Sequence, residues 1–160
     1  MLRIEISVAR QELCLISDDG RTLQRCVVST AAEGIGSQPG SNKTPSGRFR
    51  IKNKIGAGAL WGTIFISRQA VGLWSPAFPT DNDLITSRIL WLDGMEKENA
   101  NTHSRYIYIH GTNQEHLLGT PASHGCIRMA NHDVIALFDS VKVGTEVTIL
   151  TAGVGRRKKP

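Results

Sequence analysis

Long apolar runs are missing from this chain of 160 residues. No stretch approaches the roughly 18 apolar residues that a membrane-spanning helix needs, so we expect no stable membrane anchor. The N-terminus alternates apolar and polar residues over 2–8. It has neither the apolar core nor the small-residue cleavage site of a signal peptide. We therefore expect a cytoplasmic protein.

Cysteine is also scarce, and its count is odd. The three thiols are Cys14, Cys26 and Cys126, so at least one remains unpaired. A Cys14–Cys26 disulfide requires both side chains on one face of a hairpin, which the sequence leaves open. Neither a Cys-x-x-Cys nor a His-Glu-x-x-His pattern is present, which disfavours a zinc site built from His110, His124 and Cys126. We predict neither a metal nor a cofactor.

Positive charge is concentrated at one end of the chain. The formal net charge is +5, and the basic run 156–159 contributes four of these charges. A nucleic-acid-binding domain would carry a basic stripe on its folded surface, so nucleic acid is not a predicted partner. We predict a single domain over 1–150 and a disordered basic tail over 151–160.

Turn-forming residues divide the chain into short strands. A turn at Asp18-Asp19-Gly20 joins two apolar runs as a hairpin, and 31–47 is predicted to be a loop. One helix is predicted to begin at Asn131, whose side chain would cap its first turn, and to end near 143–145. Many short strands with one helix indicate a mostly β sandwich or barrel. The predicted strands cover 2–8, 12–17, 22–29, 49–51, 61–67, 70–74, 88–92, 105–110 and 146–150.

The predicted strand 105–110 carries a reactive imidazole on its polar side. Side chains alternate between the two faces of a strand, so the isoleucines point one way and Tyr106, Tyr108 and His110 point the other. The isoleucines suit the core. His110 is therefore expected to face a polar groove or solvent, and Gly111 after it lets the backbone approach a ligand closely.

A second segment, 126–129, brings a thiol and a guanidinium to the same groove. In an extended conformation, Cys126 and Arg128 share the outward face. An adjacent imidazole is expected to lower the thiol's pKa and to return the proton to a leaving group. Gly125 allows backbone amides to turn toward a developing oxyanion. The planar fork of Arg128 suits a carboxylate.

These segments resemble the signature of the L,D-transpeptidase (YkuD-type) catalytic domain. The resemblance rests on Ile-His-Gly-Thr at 109–112 and on Ser-His-Gly-Cys-Ile-Arg-Met at 123–129. Thr-Pro-Ser-Gly-Arg-Phe at 44–49 is similar to the family's Thr-Pro-x-Gly-x-Phe segment. The early hairpin and the helix after the cysteine motif also resemble the family. Residues 52–105 match it least.

The resemblance implies roles for individual residues. It makes Cys126 the nucleophile and His110 the general base, with the carbonyl of Gly111 orienting the imidazole. The amides around Gly125 and Cys126 would form the oxyanion hole. His124 is the competing imidazole.

Further residues are implied to shape the site or to contact substrate. Ser123 and His124 would shape the site. Arg128 would either hold the site together or bind a substrate carboxylate. Tyr108 and Thr112 are the other candidates for substrate contact.

The implied substrate is a peptidoglycan tetrapeptide stem or muropeptide, which loses its terminal D-alanine through a thioester on the cysteine. Water as acceptor would make an L,D-carboxypeptidase, which the expected cytoplasmic location favours as a recycling enzyme. An amine acceptor would make a transpeptidase that forms 3–3 cross-links or exchanges D-amino acids. Carbapenem β-lactams are implied inhibitors. The alternatives are a periplasmic or cell-wall location, if a leader is absent from this sequence, and a non-catalytic wall-binding or thiol-sensing domain.

Overall fold

The alternating apolar residues of the N-terminus form the first of the ten strands found within residues 1–151. The computed structural model describes residues 1–151. The strands are β1 Arg3–Ser7, β2 Glu12–Ile16, β3 Thr22–Ser29, β4 Gly47–Ile55, β5 Thr63–Ile66, β6 Gln69–Leu73, β7 Ile85–Gly94, β8 Tyr108–Thr112, β9 Ile127–Met129 and β10 Glu146–Leu150. The α-helix is α1 Asn131–Ser140, and short 3₁₀ helices cover Lys97–Asn99, His103–Arg105 and Glu115–Leu117.

All ten strands belong to one sheet. Their order is β4-β10-β1-β2-β3-β9-β8-β7-β5-β6, and β4 also pairs with β7. That extra pairing closes eight strands into a ring, and the β5–β6 hairpin extends from the first part of β7. The β1–β10 and β8–β9 pairs are parallel. The predicted mostly β fold with one short helix is confirmed.

Apolar side chains from alternate strand positions fill the ring. On β1, Ile4 and Ile6 are fully buried, while Arg3 on the opposite face of the strand is exposed. Helix α1 adds Val134, Leu137 and other apolar side chains to the same cluster. Burying a side chain of this size contributes about 1.5–3 kcal/mol. The ring therefore gives the site a rigid support.

The predicted strand 105–110 begins later than expected. A 3₁₀ helix over His103–Arg105 ends at Tyr106, which has a left-handed backbone with φ of 58°. Strand β8 begins only at Tyr108. The side chain of Tyr106 instead stacks on Trp91, with ring centroids 5.7 Å apart. The prediction that Tyr106 continues the strand face of His110 is therefore wrong.

The predicted capping role of Asn131 is also wrong. Ala130 is the N-cap, and Asn131 is the first helical residue, with its side chain fully buried. The backbone N–H of Asn131 donates to Glu115 Oε2 at 2.9 Å. A carboxylate from another segment thus satisfies one of the open amides at the start of α1.

The two N-terminal cysteines do not form a bridge. Cys14 pairs with Arg25, whereas Cys26 pairs with Leu13, so the two thiols lie on opposite faces of the β2–β3 hairpin. Both are free. Burial raises the pKa of Cys26 to about 12, so this thiol behaves as a small apolar side chain.

None of the helices within residues 1–151 is both long and apolar enough to cross a membrane. The predicted basic tail over 151–160 lies outside the described residues, apart from an exposed Thr151.

Candidate active site

The parallel pairing of β8 with β9 brings the reactive side chains together. Ile109 pairs with Ile127, and His110 pairs with Arg128. Paired residues in adjacent strands point to the same face. The isoleucines enter the core, so His110 and Arg128 lie on the opposite face together with Tyr108 and Cys126. The alternation in the sequence predicts this grouping.

The sulfur of Cys126 lies at the start of β9, half-buried beside β8. It accepts a hydrogen bond from the backbone N–H of Tyr108 at 3.3 Å, and it donates to the carbonyl of Tyr106 at 3.4 Å. No hydrogen bond joins this sulfur to His110 within residues 1–151. The structure thus shows a resting thiol held by backbone groups.

The pKa of Cys126 is shifted in the direction opposite to the expected one. Burial is the largest cause, and together with the negative charge of Asp83 it raises the pKa of this thiol to about 11. The Tyr108 N–H, Arg128 and Arg105 lower the pKa, but by less. The expectation that the adjacent imidazole lowers this pKa is therefore wrong for the resting structure, because burial disfavours the thiolate more strongly.

His110 is buried rather than open to a groove. Its side chain is 4% exposed, which corrects the expectation that it faces solvent. Nδ1 lies 2.6 Å from the carbonyl oxygen of Gly111. A carbonyl only accepts, so Nδ1 carries the proton and donates, which leaves Nε2 with a free lone pair. Burial lowers the pKa of His110, and the neutral form of the imidazole is favoured.

Gly111 lies where the structure has no room for a side chain. A Cβ there would meet the Thr86 carbonyl oxygen at 2.4 Å and Asn131 Oδ1 at 2.9 Å. Asn131 Oδ1 accepts hydrogen bonds from the hydroxyls of Thr86 at 2.5 Å and Ser87 at 2.6 Å. The Asn131 amide nitrogen donates to the carbonyl of Thr112 at 2.8 Å. This buried network fixes the backbone that orients His110.

The turn before Cys126 is held by hydroxyl groups. Ser123 Oγ donates to the carbonyl of Cys126 at 2.6 Å and accepts from the N–H of Gly125 at 3.2 Å. Thr44 Oγ1 donates to the carbonyl of Gly125 at 2.8 Å. Gly125 has φ of +129°, which L side chains rarely adopt. Its amide already has a partner, so the predicted oxyanion role of the Gly125 N–H is not supported.

Arg128 is a structural cation and not an open carboxylate receptor. It is 2% exposed, and its Nη2 lies 2.8 Å from Asp83 Oδ2. Its Nη1 donates to Gln114 Oε1 at 3.2 Å. The same Asp83 oxygen lies 3.2 Å from Nδ1 of His124. The alternative in which Arg128 holds the site together fits these contacts, whereas substrate contact does not.

Thr112 is likewise unavailable to a ligand. It is fully buried, and its hydroxyl accepts the backbone N–H of Gln114 at 3.0 Å. The predicted substrate contact of Thr112 is therefore wrong. Sequence analysis missed Asp83, Gln114 and Asn131 as site residues. Their only signal in the sequence is a polar side chain in a connection or at a helix start.

Two clefts meet at Cys126. One has a volume of about 290 Å³ and the other about 440 Å³. Tyr106 and Cys126 line both clefts. His124 and Arg105 line the smaller cleft, and Tyr108 and Arg68 line the larger one. A cavity of about 520 Å³ near the N-terminus is larger, but neither a cysteine nor a histidine lines it, so we assign chemistry to the two clefts.

The described residues do not suggest a metal centre. Within 1–151, no group of three or more His, Cys, Asp or Glu side chains is arranged to hold a metal ion. The site instead combines a thiol, a neutral imidazole with a free Nε2, and two open clefts. This arrangement is suited to nucleophilic acyl transfer.

The sequence matches the YkuD family model, the L,D-transpeptidase catalytic domain, over residues 2–149. YqjB of Bacillus subtilis is 50% identical over 48 residues, which are 30% of this chain and 27% of that protein. The crystal structure of the L,D-transpeptidase from Xylanimonas cellulosilytica has a TM-score of 0.61 at 21% identity and covers 92% of this chain and 59% of that one. L,D-transpeptidase LdtMt1 in complex with imipenem has a TM-score of 0.57 at 18% identity, covering 93% and 58%. This chain thus spans less than two thirds of each of these proteins.

Proposed function

Because the chain belongs to the YkuD family of L,D-transpeptidase catalytic domains, we propose that it transfers the acyl group of a peptidoglycan tetrapeptide stem through Cys126. The supporting observation is the shared face of β8 and β9, which places Cys126 and His110 on neighbouring strands. Cys126 and His110 are diagonal neighbours on this face, because Cys126 lies two residues before Arg128, the strand partner of His110. The free Nε2 of His110 is the candidate proton acceptor.

The resting thiol requires deprotonation during the reaction. Because burial raises its pKa to about 11, this thiol is protonated at pH 7. We propose that Nε2 of His110 takes the thiol proton as the sulfur attacks the carbonyl carbon of the third stem residue. The tetrahedral adduct then expels D-alanine, whose amine receives the proton from His110, and a thioester remains on Cys126.

Each cleft has a separate role in this proposal. The acyl donor occupies the larger cleft, and the smaller one admits the acceptor. Water as acceptor releases a tripeptide, which is the L,D-carboxypeptidase outcome. The amine of a second stem gives a 3–3 cross-link, and a free D-amino acid gives exchange. The same thiol would open the β-lactam ring of a carbapenem, and LdtMt1, which shares the fold, is known in complex with imipenem.

Mass spectrometry of the products tests the proposal. Wild-type protein and the Cys126→Ala variant are incubated with a disaccharide-tetrapeptide. We expect loss of terminal D-alanine in wild type and a decrease of about 10³-fold or more in the variant. Cys26→Ala, which removes another free thiol, is the matched control and should retain activity. Product formation that survives in Cys126→Ala would overturn the proposal.

The same experiment separates the acceptors and the non-catalytic alternative. Tripeptide alone identifies a carboxypeptidase, whereas a cross-linked dimer identifies a transpeptidase. Intact-mass measurement with imipenem should show one covalent adduct in wild type and none in Cys126→Ala. Failure of wild type to give either product or adduct would favour a wall-binding or thiol-sensing domain.

A further inference from the structure

Arg68, at the tip of the β5–β6 hairpin, lines the larger cleft beside Cys126. Its Nη1 donates to the hydroxyl of Tyr108 at 3.2 Å, and the backbone N–H of Tyr108 donates to Cys126 Sγ at 3.3 Å. Arg68, Tyr108 and Cys126 line the same cleft. A cation from a distant hairpin therefore lies in the proposed donor cleft.

The guanidinium of Arg68 packs against two aromatic rings. It lies 5.0 Å from the ring centroid of Trp91 and 5.4 Å from that of Tyr106. Such cation–π contacts hold the planar group in one orientation. Ser67 and Arg68 both have positive φ, at 48° and 65°, as in the tight two-residue turns that match the twist of a hairpin. The position of this guanidinium is thus set before a ligand binds.

The other two arginines near Cys126 are already engaged. Arg128 is buried against Asp83. Arg105 donates to the backbone carbonyls of Gly36 and Lys43. Arg68 has no carboxylate partner within residues 1–151, and its one hydrogen bond there goes to Tyr108. Neither cleft beside Cys126 is lined by an acidic side chain. Donor groups of Arg68 therefore remain for an anion in the donor cleft.

We infer that Arg68 binds a carboxylate of the acyl-donor stem and is a specificity-determining residue of this site. The inference rests on the proposed function. A tetrapeptide stem offers two carboxylates near the scissile bond. One is the C-terminal carboxylate of the leaving D-alanine, and the other is the side-chain carboxylate of a diaminopimelate at the third position. A guanidinium fork recognises either one by paired, charge-assisted hydrogen bonds.

Steady-state kinetics with three donors test the inference. The donors are a tetrapeptide with diaminopimelate and a free C-terminus, the same peptide amidated at the diaminopimelate side chain, and the same peptide amidated at the C-terminus. The proteins are wild type, Arg68→Gln and Arg68→Lys. We expect Arg68→Gln to lower kcat/KM for the unmodified donor by about 10- to 100-fold. Arg68→Lys should retain part of the activity, since it keeps the charge but loses the fork.

The amidated donors identify which carboxylate is bound. The donor that has lost the recognised carboxylate should be poor in wild type and should lose no more than about threefold in Arg68→Gln. The other amidated donor should behave like the unmodified one. Arg10→Gln removes the same charge at an exposed site away from the clefts, and it should leave all three values unchanged.

Three outcomes have separate meanings. An equal loss on all three donors in Arg68→Gln, with the melting temperature unchanged, would overturn the inference and assign Arg68 to positioning Tyr108. If Arg68→Gln melts at a lower temperature, the selectivity ratios between donors decide, because a folding defect scales all of them equally. Failure of wild type to process any donor would overturn the proposed function instead.

Discussion

The two faces of β8 are equally buried but differ in how they are stabilised. Ile109 on the inner face is 0% exposed, and His110 on the outer face is 4% exposed. On the inner face, Ile109 belongs to the apolar core. On the outer face, Nδ1 of His110 donates to the carbonyl of Gly111, and the hydroxyl of Thr112 accepts the backbone N–H of Gln114.

The difference follows from the nature of the contacts. Apolar burial is non-directional, so a neighbour of similar volume can replace an isoleucine at modest cost. A buried polar atom needs a partner in a narrow range of distance and angle, and losing that partner costs about 1–3 kcal/mol. We therefore expect inner-face substitutions to change stability alone and outer-face substitutions to change the chemistry as well.

Truncation of Ile109 should give the largest loss of stability. Ile109→Ala removes a fully buried side chain and should lower the free energy of unfolding by about 2–5 kcal/mol. Turnover per folded molecule should be unchanged, because no contact of His110 or Cys126 is removed. Urea denaturation and active-site titration with imipenem measure the two quantities. Ile109→Val, at about 0.5–1.5 kcal/mol, is the conservative control.

Loss of Asn131 should cost somewhat less stability and far more activity. Asn131→Ala leaves the hydroxyls of Thr86 and Ser87 and the carbonyl of Thr112 without their partner. We expect a loss of about 2–3 kcal/mol and at least a tenfold decrease in turnover per folded molecule. Ser140→Ala, an exposed substitution on the same helix, should change neither. Full activity in folded Asn131→Ala would contradict the role of this buried network in orienting His110.

Local sequence patterns predict one part of this site and miss another. The period of two in β8 and the spacing of 123–129 are local, so they predict that Cys126 and His110 share a face. Asp83 lies 45 positions from Arg128 along the chain, and Asn131 lies 45 from Thr86. No periodicity connects such pairs. The sign of the Cys126 pKa shift depends on the same distant segments, because they determine how far the thiol is buried.

Substitution of Asp83 tests how strongly a charge beside the outer face of β8 shifts the pKa values of Cys126 and His110. Its charge raises the pKa of Cys126 and of His110, so Asp83→Asn should lower both pKa values. The thiol should then react faster with iodoacetamide at pH 8, and the acid limb of kcat/KM should move to lower pH. Asp83 is 36% exposed, but its partner Arg128 is 2% exposed, so the variant leaves a buried cation without its counter-charge and should also lower stability. Asp81→Asn, in the same connection, is the control. Unchanged alkylation of Asp83→Asn would contradict the role of this charge.

The smallest effect should appear in the pH dependence of stability, where only the outer face of β8 can contribute. Burial lowers the pKa of His110 in the folded protein, whereas the unfolded chain has a histidine pKa near 6.5. Below about pH 6.5 the unfolded state therefore binds a proton that the folded state does not, and the free energy of unfolding decreases as the pH falls. Above this range both states are neutral and His110 contributes no pH dependence.

Urea midpoints of wild type and His110→Phe, compared between pH 8 and pH 5, should diverge on the acid side, with the shallower decrease in the variant. Ile109→Val should run parallel to wild type throughout, since it changes no titrating group. Parallel curves for His110→Phe as well would show that His110 protonates as readily in the folded state as in the unfolded chain, and the two faces of β8 would then not differ in this respect.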